Sequence, residues 1–136
     1  MSARRDSLDE YVRVAEFRAA LRRFLRITER VARVSGLTPQ RYLLLLMVKG
    51  AADGSERSTV TELAERLQLA QSTVTELVDR AVEAGLLVRE QSADDRRVAY
   101  VRLTAEGEER LGTAFTNLAA ERRNFIAALV DLDVGP

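Results

Sequence analysis

Between Thr59 and Leu103 the spacing of apolar residues changes once, and that change limits the fold more than any other feature of the chain. Up to Ala84 the step is three or four: Leu63, Ala64 and Leu67, then, after a turn at Leu69-Ala70, Val74, Leu77, Val78, Ala81 and Val82. That is the period of a helix with one face buried. From Leu86 onward the step is two, with Leu86 and Val88 in one run and Val98 and Tyr100 (or Ala99 and Val101) with Leu103 in the next. Two extended runs around the charged segment Gln91-Ser-Ala-Asp-Asp-Arg-Arg97 read as a β-hairpin with an exposed tip. Thr61 or Thr59 caps a helix over 62–67, Gln71 to Ala84 forms the next, and Gly85 stands where a helix-ending glycine belongs. The order is therefore helix, tight turn, helix, hairpin.

The flanks are helical. Val14, Phe17, Leu21, Phe24, Thr28 and Val31 form one stripe of a long helix over roughly residues 7–34, widened by Leu25 and Ile27 and ended by Ser35-Gly36. So broad an apolar face needs a partner surface. Thr38-Pro39 opens a second helix, apolar nearly all round from Tyr42 to Val48 and hence central. A polar loop over 50–57 and a short strand over Ser58-Thr59-Val60 lead into the helix pair. Thr104 caps one last long helix, roughly 105–131, with the stripe Leu111, Phe115, Leu118, Phe125, Leu129 and Leu132, interrupted by Arg122. The fold class is mainly α, an α+β winged helix between two helical flanks. The expected division is a helical flank over 1–36, a winged-helix unit over 37–104 and a second helical flank over 105–136.

Composition narrows the chemistry. The chain has no cysteine and no histidine, which excludes disulfides, thiolate or imidazole metal sites, cysteine nucleophiles and the commonest general base. Neither a phosphate-binding glycine loop nor a nucleophile elbow is present, and the carboxylates of Asp94 and Asp95 sit together on an exposed turn, so no enzyme, metal or cofactor is expected. The N-terminus lacks the apolar stretch of a secretory signal and no run approaches the ~20 residues of a membrane span, so the expectation is a soluble cytoplasmic protein. Net charge is zero, 21 basic residues against 21 acidic. The distribution is uneven: residues 1–35 carry nine arginines and five acids, residues 104–136 three arginines and six acids. Opposite signs at the two ends suit their packing together.

In a helix-turn-helix the second helix enters the major groove, so its outward side chains must be short and polar. Ser72, Thr73, Thr75, Glu76, Asp79 and Arg80 meet that requirement. Hydroxyls bond base edges and phosphates, threonine touches the thymine methyl, and glutamate accepts from cytosine N4. At the hairpin tip Arg96 and Arg97 suit the negative potential of a narrow minor groove.

Four segments together resemble the MarR family of bacterial transcription regulators. They are Thr59-Val-Thr-Glu-Leu-Ala-Glu-Arg-Leu67, Ser72-Thr-Val-Thr-Glu-Leu-Val-Asp-Arg80, Ala84-Gly-Leu-Leu-Val88, and Asp95-Arg-Arg97 running into Val101-Arg-Leu-Thr-Ala-Glu-Gly107. The resemblance spans roughly residues 8–130. It implies a homodimeric, sequence-specific regulator, read as a repressor, on double-stranded DNA with a pseudo-palindromic operator. It also implies that Arg97 enters the minor groove with Asp95 orienting it, that Asp79 braces the wing through an ion pair, and that Gln71, Ser72, Thr73, Thr75 and Glu76 face bases. Thr38, Gln40 and Thr61, near helix N-termini, would hold phosphates. The dimer interface would use Val14, Phe17, Leu21, Phe115, Phe125 and Leu129.

The resemblance further implies a small aromatic or lipophilic effector between the dimer helices and the winged helix, with Tyr11, Phe17, Phe24, Tyr42, Leu46, Met47 and Phe115 as its lining. This sequence departs from the family pattern at three places: Gln68-Leu69-Ala70 replaces a Gly followed by Leu-Ser, Glu76 replaces a basic residue, and the loop over 50–57 is long. The segment 70–84 holds one arginine against three acids, net −2. That acidity sets the alternative, a winged-helix protein–protein interaction module without DNA binding.

Overall fold

The computed structural model describes residues 2–132. Met1 and residues 133–136, the outer ends of the two expected dimerisation segments, lie outside the described residues, as does the side chain of Leu132. The order is α1 (Ser2–Val34), α2 (Pro39–Lys49), β1 (Arg57–Ser58), α3 (Val60–Leu67), α4 (Gln71–Glu83), β2 (Leu87–Gln91), β3 (Ala99–Leu103), α5 (Ala105–Asn117) and α6 (Ala119–Leu132). The strands form an antiparallel sheet in the order β1-β3-β2. Its register pairs Ser58 with Val101 and Leu87 with Leu103.

Local chemistry sets each boundary. Gly36 (φ 83) ends α1, where Leu37 donates its N–H to the Ala32 carbonyl at 2.9 Å and Gly36 its own to Arg33 at 3.1 Å. Thr38 accepts from the Arg41 N–H at 3.1 Å and Pro39 takes the first helical position, as the sequence predicts. At α3 the cap is Thr59, not Thr61. Thr59 Oγ1 accepts from the Glu62 N–H while Glu62 Oε1 accepts from the Thr59 N–H, each at 3.1 Å. Such a reciprocal box contributes about 1 kcal/mol. It ends the expected strand at Ser58, because Thr59 and Val60 are drawn into the helix start.

The core gathers around α2. Leu44, Leu45 and Val48 are fully buried with Leu63 of α3, Val74, Val78 and Ala81 of α4, Leu87 and Val101 of the sheet, and Leu111, Ala114 and Leu118 behind. Leu43, on the other side of α2, stays exposed. The hairpin phase differs from the first expectation: Leu86 and Leu87 are both buried, Val88 is exposed, and Val101 with Leu103 faces the core. Leu86 ends the turn that Gly85 (φ 78) opens, so the strand proper begins one residue later.

The last helix is two helices. The chain breaks at Leu118, whose N–H reaches back to the carbonyls of Ala114 at 3.1 Å and Phe115 at 3.3 Å. Arg122 bridges the break, donating to the Phe115 carbonyl at 2.8 Å and stacking its guanidinium 3.6 Å from the Phe115 ring centre. Arg122, which interrupts the sequence stripe, is thus a fastener between α5 and α6. Beyond the break α6 packs along α1, where Phe24 and Phe125 stack with centroids 4.6 Å apart.

Candidate nucleic-acid interface

α3 and α4 meet at a turn whose geometry the sequence makes difficult. Gln68, standing where the family pattern has glycine, holds the left-handed backbone region (φ 57, ψ 46). A non-glycine residue there costs about 1 kcal/mol. Ala70 then occupies the cap position of α4 with no side-chain hydrogen bond. What holds the start of α4 is Gln71, whose Nε2 donates to Thr61 Oγ1 at 3.2 Å and ties the two helices together. Val74, Val78 and Ala81 bury one face of α4, which leaves Ser72, Thr75, Glu76, Asp79 and Arg80 exposed and Thr73 half-buried.

The hairpin is fastened to this helix. Arg89 of β2 forms an ion pair with Asp79 of α4. Asp79 therefore does lie against the wing, and its partner is a residue that sequence reasoning missed. The hairpin phase hid it: with Leu87 as the inward residue, alternation places Arg89 on the same face as Leu87, over α4. The opposite face carries its own polar set, an Arg102–Glu90 ion pair at 3.2 Å and the Arg57 guanidinium 4.1 Å over the Tyr100 ring.

The tip is built from hydrogen bonds rather than packing. Ser92 Oγ accepts from the N–H groups of Asp94 at 3.2 Å and Asp95 at 3.3 Å, and Val98 donates its N–H to the Asp95 carbonyl at 3.0 Å. The Gln91 side chain donates to the Arg96 carbonyl. Asp95 accepts three times from Arg97: from its backbone N–H at 3.0 Å, from Nε at 3.2 Å and from an Nη at 3.4 Å. The guanidinium beside it, with that backbone N–H, holds the Asp95 carboxyl below the usual carboxylate range. The Arg97 side chain is nonetheless 90% exposed, so its guanidinium is oriented from behind and open in front. Arg96 is exposed as well. Ser92 and Gln91 are further residues that sequence reasoning missed; a serine three residues before an aspartate at a hairpin tip is the available signal.

Of the remaining expected residues, Thr38 and Gln40 are exposed at the N-terminus of α2, and Thr61 is exposed in the first turn of α3 with its hydroxyl engaged by Gln71. On α1, α5 and α6, Val14, Phe17 and Phe115 are exposed, while Leu21, Phe125 and Leu129 are half-buried. The seven residues expected around an effector differ in exposure. Tyr42 is buried in the core, where its hydroxyl is pushed up by burial against the opposing pull of Arg122. Leu46 and Met47 pack against that core, and Tyr11 stands 73% exposed on α1. A cavity of about 270 Å³ between α1 and α6 is lined by Phe24, together with Ile27 and Phe125, but by none of the other six.

Two helices joined by a tight turn, a hairpin fastened to the second of them and long flanking helices define a winged helix-turn-helix. The MarR family model matches residues 35–98, from the end of α1 through the wing tip. Over those residues the chain is similar to the MarR family of winged helix-turn-helix transcription regulators. It is 28% identical over 99 residues to the HTH-type transcriptional regulator MhqR of Bacillus subtilis, a match covering 73% of this chain and 66% of that one. It is 30% identical over 96 residues to the HTH-type transcriptional repressor MdtR of the same organism, covering 71% and 59% respectively. The chain thus spans less than two thirds of the length of MdtR and about that share of MhqR. The fold matches AbsC, a MarR family regulator from Streptomyces coelicolor, with a TM-score of 0.69 at 23% identity over 82% of this chain and 74% of that one. It also matches a mutant of Escherichia coli MarR complexed with operator DNA, with a TM-score of 0.66 at 19% identity over 79% and 75%. Among the described residues no helix is long and apolar enough to cross a membrane.

Proposed function

We propose that this chain is a sequence-specific DNA-binding transcription regulator, a repressor, that acts as a homodimer on a pseudo-palindromic operator. The observation that carries the reading is the fastened pair of α4 and wing. One ion pair, Asp79–Arg89, sets the angle between an exposed polar helix face and a hairpin whose tip presents an oriented arginine. A helix in the major groove and an arginine in the adjacent minor groove need that fixed angle. Selection from a random duplex pool, with affinity followed at two salt concentrations, tests it. An inverted repeat is enriched, and binding weakens as salt rises. Absence of both points instead to a protein partner for the acidic face of α4.

The dimer part of the reading rests on exposed apolar side chains. Tyr11, Val12 and Val14 of α1 and Ile126 and Val130 of α6 are each more than half exposed. Each large apolar side chain left in water forfeits about 1.5–3 kcal/mol of burial, and a second copy of the same helices covers them. Phe17→Asp yields a folded monomer in sedimentation; a stable dimer that still binds operator overturns the assignment. The proposed small aromatic or lipophilic effector belongs to the same surface, seated where the second subunit closes Tyr11, Phe17 and Phe115 into a cavity.

A further inference from the structure

The outward face of α4 is a single line. Ser72, Glu76, Asp79 and Glu83 follow at steps of four, three and four, opposite the buried Val74, Val78 and Ala81. Three of the four are acids, an unusual face to present to a polyanion. They are not equivalent. Asp79 is paired by Arg89. Glu83 is the last residue of the helix, away from the N-terminal half that a reading helix inserts. Glu76 stands mid-line in the second turn, is exposed, and among the described residues forms no ion pair, not even with Arg80 four residues on.

A carboxylate only accepts hydrogen bonds, and this narrows what it meets in a major groove. Guanine shows two acceptors, N7 and O6, and thymine an acceptor and a methyl group. Adenine sets the acceptor N7 beside its N6 amino group, which repels the second carboxylate oxygen. Cytosine offers its N4 amino donor alone. Phosphate repels the group outright. We infer that Glu76 is the specificity-determining residue of α4 and accepts from cytosine N4 in each operator half-site. The inference rests on the DNA-binding reading above and adds a base identity to it. It also gives the acidic face a role: repulsion from phosphate lowers affinity for all DNA, and a cytosine under Glu76 offsets it at the operator only.

The test compares the wild-type protein with Glu76→Gln, both folded by circular dichroism, in selection from a random duplex pool and then on fixed duplexes. The carboxamide keeps the length of the side chain but donates and accepts, which suits adenine N6 and N7. The wild type selects C·G at one position of each half-site and prefers it there to A·T by about tenfold. The variant loses or reverses that preference and keeps the rest of the operator. A variant that binds every duplex more tightly with the same preferred base overturns the inference, since Glu76 then faces phosphate. So does a variant indistinguishable from wild type. If neither protein enriches an inverted repeat, the DNA-binding reading fails first and carries the inference with it.

Discussion

Gly107→Ala destabilises the fold by about 3 kcal/mol, lowering the melting temperature by roughly 10 °C. The expected sign is the reverse of what helix propensity alone dictates, since alanine in a helix interior ordinarily gains about 0.5–1 kcal/mol over glycine. A Cβ on Gly107 stands 2.1 Å from the Leu86 carbonyl oxygen and 3.1 Å from its carbon. Those are backbone atoms, so no rotamer relieves the clash. The Leu86 carbonyl also accepts from the Thr104 N–H at 3.1 Å, and Thr104 Oγ1 donates to the Gly85 carbonyl at 2.6 Å. Moving it loosens the junction of α4, the hairpin and α5 together. Gly112, in the same helix, has nothing within 4 Å of its would-be Cβ, so Gly112→Ala stabilises slightly. Thermal denaturation of the two variants checks both signs, and equal effects would disprove the close approach at Gly107.

Arg97→Ala weakens operator binding by about ten- to a hundredfold and lowers the slope of log affinity against log salt by about one. The loss is large because the guanidinium is held in place before DNA arrives: Asp95 carries the cost of orienting it in the free protein. Asp95→Asn leaves the positive charge but releases its orientation, and loses less affinity. Titration of the selected operator, with the dimer followed by sedimentation, measures these effects. Unchanged affinity in Arg97→Ala removes the wing from the interface.

The parts of this architecture legible in the sequence are those whose signal is local. Thr38-Pro39, Thr104 and Gly85 announce boundaries because a cap or a left-handed turn depends on one or two residues, and the structure places all three at helix ends. The helix-period stripe found the buried face of α4, and the apolar run from Tyr42 to Val48 found the central place of α2. The hairpin phase was ambiguous, because Leu86, Leu87 and Val88 are consecutive apolar residues and only the turn at Gly85 decides which begins the strand. That ambiguity concealed Arg89. The break at Leu118 leaves no mark at all: Leu118 continues the stripe, Leu118 and Ala119 are good helix formers, and neither glycine nor proline intervenes. Its cause is tertiary, in the seating of Leu118 in the core and the hold of Arg122 on the Phe115 carbonyl.

The interruption at Leu118 also makes α6 a lever arm. Its fourteen residues extend about 21 Å at 1.5 Å per residue. A swing of about 10° at that joint moves the far end by nearly 4 Å, about the rise of one base-pair step. The winged unit itself need not deform, because its own core ends at Leu118. In the proposed dimer a pull on the outer helices would reach the winged units as displacement rather than as strain, with Arg122, clamped across the joint, setting how stiffly it turns.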